Sequence, residues 1–172
     1  VPLAGIPAKA LDEYLGRLVG LGQRVAICDQ VEDPAEAKGI VRREVTETVT
    51  PGTVLQDALL TAKRNNFLVA LTEPTDEHMG LATLDLSTGE FSVQDVLIPE
   101  LNAELGRLDP TELLLPRVFE DAGNGPGPWA GALSGRLRTY RDDWVFDYAS
   151  AVDEVKRRYG IQSLEAFGFQ RE

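Results

Sequence analysis

With 172 residues, the chain has room for one large domain, or for a small domain joined to part of another. Hydrophobic residues make up 43%, enough for a real core, yet no apolar run is long enough to cross a bilayer and no basic-then-apolar segment reads as a signal. A net charge of −11 argues against a free-standing nucleic-acid binder, and one cysteine allows no internal disulfide, which suits a reducing, cytoplasmic setting.

The chain opens on Val1-Pro2 without Met and reads as the middle of a longer protein. Gly5-Ile6-Pro7 predicts a turn. Leu11, Tyr14, Leu15, Leu18 and Val19 recur at helical spacing until Gly20 and Gly22 stop them, so an amphipathic helix is expected with Asp12, Glu13 and Arg17 outside. Arg24–Cys28 predicts a short buried strand and Asp33-Pro34 a turn. Val45, Glu47 and Val49 alternate, which predicts a half-buried strand over Val41–Val49. Thr50-Pro51-Gly52-Thr53 ends it, Leu55–Leu60 has room for a helical turn or two, and Lys63-Arg64-Asn65-Asn66 is polar. A charge step falls at the same place. Residues 1–64 carry 8 basic against 9 acidic side chains, and residues 65–172 carry 9 against 19. Only the first part could sit comfortably near phosphates. We place the domain boundary between Pro51 and Asn66.

The second part begins with three predicted strands, Phe67–Glu73, Gly80–Asp85 and Glu90–Val96, the last two joined by a hairpin turn at Thr88-Gly89. Pro99–Leu108 predicts a helix with Leu101, Leu105 and Leu108 on one face, ended by Asp109-Pro110. Glu112–Leu115 predicts a short strand. Five glycines and two prolines over 123–135 predict a flexible loop. A strand over Leu137–Tyr140 follows, then a helix over Ala149–Tyr159 with Val152, Val155 and Tyr159 inward and Gly160 as its cap. A strand meander followed by mixed strands and helices predicts an α/β layer fold.

Side chains able to carry chemistry are few. Cys28 lacks a base within reach and lacks the further Cys or His that zinc requires, so it reads as a small buried hydrophobe. His78 reads as an exposed loop residue. Lys38-Gly39 has no earlier glycine and no following Ser or Thr, so it is no phosphate loop. Asp85 with Glu73 is a weak candidate for a two-metal nuclease site, since such sites need three or four converging acids. Lys9, Arg42, Arg43, Lys63 and Arg64 are candidate phosphate contacts, interleaved with acids.

Several short stretches taken together carry a resemblance. "AGIP", "YLGRLVGLGQRVAICDQVEDP", "AKGIVRREV" and "VTPGT" stand in the order and spacing of the bacterial DNA mismatch repair MutS family. "NNFLVAL", "GLATLDLSTGEF" and "ELGRLDPTELLLP" resemble that family's connector domain. The resemblance covers essentially the whole chain. It implies two α/β domains. The back part of a mixed-sheet mismatch-recognition domain would occupy residues 1–50, a linker 51–65, and an RNase H-like connector without its last helix 66–172. It implies a parent that binds mispaired or looped double-stranded DNA as a homodimer, signals repair with ATP and Mg, and docks MutL. This chain would then be non-enzymatic scaffold. The family's Phe-x-Glu wedge belongs upstream of Val1, and its clamp, lever and ATPase domains belong downstream. Leu3, Ala4, Gly5 and Lys9 would lie in the loop nearest the DNA. The family usually has Tyr-His after "GIP", where this chain has Ala8-Lys9, so the aromatic ring is lost and Lys9 offers a phosphate contact instead. Two rival expectations are a protein-interaction module that does not bind DNA and a metal-dependent nuclease built around Asp85.

Overall fold

A computed structural model describes residues 6–35, 37, 39–53, 65–121 and 127–169. After a single 3-10 turn at Ala8–Ala10, helix α1 spans Leu11–Gly20. Leu15 and Val19, four residues apart, form its buried stripe. The helix ends where Gly22 takes a positive φ of 77° and its amide donates to the Val19 carbonyl at 2.8 Å. Strand β1 (Val25–Gln30) pairs antiparallel with β2 (Arg43–Val49), and Val25, Ile27 and Val49 pack on α1.

This ribbon departs from the expected burial. Ile27 lies opposite Glu47, but its neighbour Cys28 lies opposite Val45, so Thr46 is an extra residue in β2. The bulge breaks the period of two on which the alternation was read. Val45 is thereby carried to the face of Cys28, away from α1, and both are exposed. Cys28 is therefore not the buried hydrophobe expected, and among the described residues β2 is the only strand beside β1. The Thr46 hydroxyl fastens the bulge by donating to the Asp29 carboxylate at 2.8 Å.

The second sheet has the order β5-β4-β3-β6-β7, with β3 (Phe67–Leu71) central. Strands β4 (His78–Asp85) and β5 (Glu90–Leu97) run antiparallel beside it as a hairpin, turned by Gly89 at φ 75°. Helix α2 (Leu101–Leu108) then crosses to β6 (Glu112–Pro116), which pairs parallel with β3. Asp109 in the left-handed region (φ 46°) stops α2. Leu101, Leu105 and Leu108 press on Val69, Leu71, Met79, Leu81, Leu113 and Leu115, one continuous core on one face of the sheet. The run Leu113–Leu115 is apolar at every position because a parallel strand inside a sheet has two faces to cover. Two single-turn helices, α3 (Val118–Asp121) and α4 (Ala130–Leu133), precede β7 (Arg138–Arg141), which pairs parallel with β6.

The glycine-rich stretch thus holds more than a loop. Ala132 and Leu133 are core residues, and Trp129 meets Phe119 edge to face at 6.2 Å. Helix α5 (Tyr148–Tyr159) is capped by the Asp147 carboxylate on the Ser150 amide and ends at Gly160 in the left-handed region. Val152 and Val155 are half-buried, but Tyr159 points outward, contrary to expectation. Among the described residues, no helix is long and apolar enough to cross a membrane.

Candidate nucleic-acid interface and domain junction

Of the four residues expected nearest DNA, Leu3, Ala4 and Gly5 lie outside the described residues. Lys9 lies in the turn Ala8–Ala10, closed by the Ala10 amide on the Pro7 carbonyl at 2.9 Å, and its side chain is exposed. Asp12 and Glu13 follow in the first turn of α1, where acids favour the positive helix end. Any phosphate contact from Lys9 is therefore made beside two carboxylates. Arg17 lies over the Tyr14 ring at 5.5 Å. On the ribbon, Arg42 meets Glu44 at 3.2 Å, and the Arg42 amide donates to Glu32 at 3.0 Å. Lys38, Lys63 and Arg64 lie outside the described residues. The described basic residues of the first part thus form a mixed-charge surface rather than a basic stripe.

Asp85 ends β4 fully buried. Its Oδ1 accepts the Asn66 amide at 3.2 Å, the Ser87 amide at 2.9 Å and the Ser87 hydroxyl at 2.6 Å. Burial pushes this carboxyl up, but these donors outweigh it and hold it below the usual carboxylate range. Oδ2 is buried without a partner. The carboxylate pins the β4–β5 turn and the entry to β3. Among the described residues, no three His, Cys, Asp or Glu side chains group as metal ligands would.

Among the described residues, a connected polar site lies where the Thr50–Thr53 segment meets the second sheet. Glu112, the first residue of β6, is 1% exposed. Its Oε2 accepts the Thr50 hydroxyl and, at 3.0 Å, the Gly52 amide, while its Oε1 accepts the Thr139 hydroxyl from β7. Because Thr50 gives its only proton to the carboxylate, Thr53 is the donor in the Thr50–Thr53 hydroxyl contact of 2.9 Å. The Thr53 hydroxyl also accepts the Thr50 amide at 2.9 Å. The 3-10 turn Pro51–Thr53 is thereby closed on itself and fixed to the sheet. Asn66 completes the knot. Its Nδ2 donates to the Pro51 carbonyl at 3.2 Å and its Oδ1 accepts the Thr111 hydroxyl at 2.7 Å. A second tie runs from the Arg24 guanidinium, just before β1, to the Arg138 carbonyl at the start of β7.

Sequence reading missed Glu112 and Thr139 as site residues, because their partners lie 62 and 27 residues away. The available signal was a single acid heading the apolar run "ELLLP". An acid in a buried strand requires donors.

Residues 1–58 match the family description MutS domain I, and residues 66–172 match MutS domain II. Over 98% of its length, the chain is 45% identical to a DNA mismatch repair protein MutS of Dehalococcoides mccartyi, of which it covers 19%. It is likewise 45% identical over 98% of its length to one of Thermosynechococcus vestitus, covering 20% of that protein. With one of Pelotomaculum thermopropionicum it shares 44% identity over 93% of its length, covering 18% of that protein. The chain therefore spans about a fifth of the length of these relatives.

Proposed function

The chain belongs to the MutS family of DNA mismatch repair proteins, and from that premise we propose that it is the scaffold linking mismatch recognition to the rest of a longer repair protein. The parent binds mispaired or looped DNA as a homodimer, in the cytoplasm, and signals repair through ATP and Mg held by parts outside this chain. The physical basis is deformability. A mispair unstacks at less cost than a matched pair, so a protein that wedges and bends the duplex binds best there. Leu3, Ala4, Gly5 and Lys9 lie nearest the DNA, and their contacts position the backbone rather than read base edges. The connector sheet carries the DNA-bound state onward and offers MutL a docking surface. The strong acidity of residues 65–172 favours a protein partner there. The chain itself performs no catalysis.

The observation that carries this reading is the unbroken junction. The last strand of the first domain runs through Thr50–Thr53 directly into hydrogen bonds with the connector sheet. Fluorescence anisotropy with a G·T-mismatched duplex and its matched twin tests it. The full-length protein is expected to prefer the mismatch, and this chain alone to show no preference. A preference retained by this chain alone would contradict the scaffold assignment. A full-length protein without preference would contradict the mismatch-binding assignment.

A further inference from the structure

The junction has features of a mechanical coupling rather than of a flexible link. Glu112 is buried, and its carboxylate is met by three donors drawn from two domains: the Thr50 hydroxyl, the Gly52 amide and the Thr139 hydroxyl. The approach is close enough that a Cβ on Gly52 would lie 2.7 Å from Glu112 Cβ and 2.8 Å from Leu68 Cδ1. Thr50 immediately follows Val49, a core residue beneath α1. A displacement of the connector sheet at Glu112 therefore reaches the α1 core within two residues of chain. The Arg24–Arg138 contact adds a second point of attachment, and two points resist rotation where one does not.

We propose that Glu112 is a positioning residue for mismatch recognition. Its carboxylate clamps the Thr50–Thr53 turn to the connector sheet, so that the α1–ribbon unit and that sheet move as one body. Glu112 touches no DNA and acts only through the turn. Removing the carboxylate frees three donors at once and lets the turn lift. Glutamine preserves the clamp, because its oxygen serves Thr50 and Gly52 while its amide donates to the Thr139 hydroxyl. The effect on DNA rests on the mismatch-binding reading above; the effect on the turn does not.

Site-resolved hydrogen exchange on the full-length protein tests the clamp. In Glu112→Ala the Thr50, Gly52 and Thr53 amides are expected to exchange about ten- to a hundredfold faster, as expected for losing a hydrogen bond to a charged acceptor. Glu112→Gln is expected to stay near wild type. Leu105→Ala, which opens a cavity on the opposite face of the sheet, serves as the control for general destabilisation. Unchanged exchange at the turn in Glu112→Ala would overturn the proposal. So would equal acceleration in Leu105→Ala or no rescue by glutamine. In a parallel binding assay, the ratio of mismatched to matched affinity is expected to fall about three- to thirtyfold in Glu112→Ala and to survive in Glu112→Gln. A loosened turn with an unchanged ratio would overturn the coupling to recognition. A wild-type protein with no preference would instead overturn the functional reading, leaving the exchange result to decide the clamp.

Discussion

Gly52→Ala tests the packing at the junction most directly. The added Cβ would lie 2.7 Å from Glu112 Cβ, 2.8 Å from Glu112 Oε2 and 2.8 Å from Leu68 Cδ1. Gly52 is not among the positive-φ residues, so the substitution costs nothing in backbone conformation and the effect is steric. Forcing a methyl group into a filled site costs about 1–3 kcal/mol. Pushing the carboxylate away from the Gly52 amide and the Thr50 hydroxyl leaves buried donors unmet, adding about 1–3 kcal/mol. A loss near 3 kcal/mol lowers the melting temperature of a chain this size by about 6–12 °C. Gly106→Ala is the matched control. Gly106 lies inside α2, where a Cβ would meet nothing within 4 Å, so alanine there is expected to stabilise by about 0.5–1 kcal/mol. Thermal unfolding followed by circular dichroism reads both. A Gly52→Ala chain that melts as high as wild type, or Gly52→Ala and Gly106→Ala shifts of the same sign, would refute the reasoning.

Leu105→Ala, at a fully buried position of α2, is expected to cost about 2–5 kcal/mol in chemical denaturation, and a loss below 1 kcal/mol would mean the site collapses freely. Asp85 is held below the usual carboxylate range in the folded state, so its contribution is fully present above about pH 4 and is lost as pH falls through its lower folded value. Asp85→Asn is therefore expected to lose less stability than wild type between neutral pH and pH 3; equal losses would show that Asp85 does not contribute to the acid limb. Lys9→Ala in the full-length protein is expected to weaken binding to matched and mismatched duplexes alike and to reduce the salt slope by about one. An unchanged slope would remove Lys9 from the phosphate contacts.

Much of the architecture is legible in the sequence. Local patterns decide it: Leu15 and Val19 at helical spacing, Leu101, Leu105 and Leu108 on one face, the Thr88-Gly89 hairpin turn, and Gly160 as a helix end. Each is a short-range signal, set by the period of a helix or by the φ that only glycine adopts easily. The resemblance to the MutS family was also legible, because several motifs stand in register along one chain. The exposure of Val45 was not, since one extra residue at Thr46 reverses the face it occupies and no propensity marks a bulge, and Cys28 is exposed because it alternates with the inward-facing Ile27 in a strand covered, among the described residues, on one face only. Nor was the burial of Ala132 and Leu133, where a glycine-rich composition concealed a helical turn with core to cover.

The junction shows the division most clearly. "VTPGT" and "TELLLP" are each visible in the sequence, and the first reads as a strand end and a turn. The parallel pairing of β6 with β7 brings Thr139, 27 residues away, to the Glu112 carboxylate, and docking of the Pro51–Thr53 turn on the sheet brings Thr50, 62 residues away, and Gly52. Local chemistry specifies that a buried acid needs donors. Only the assembled sheet decides which donors they are.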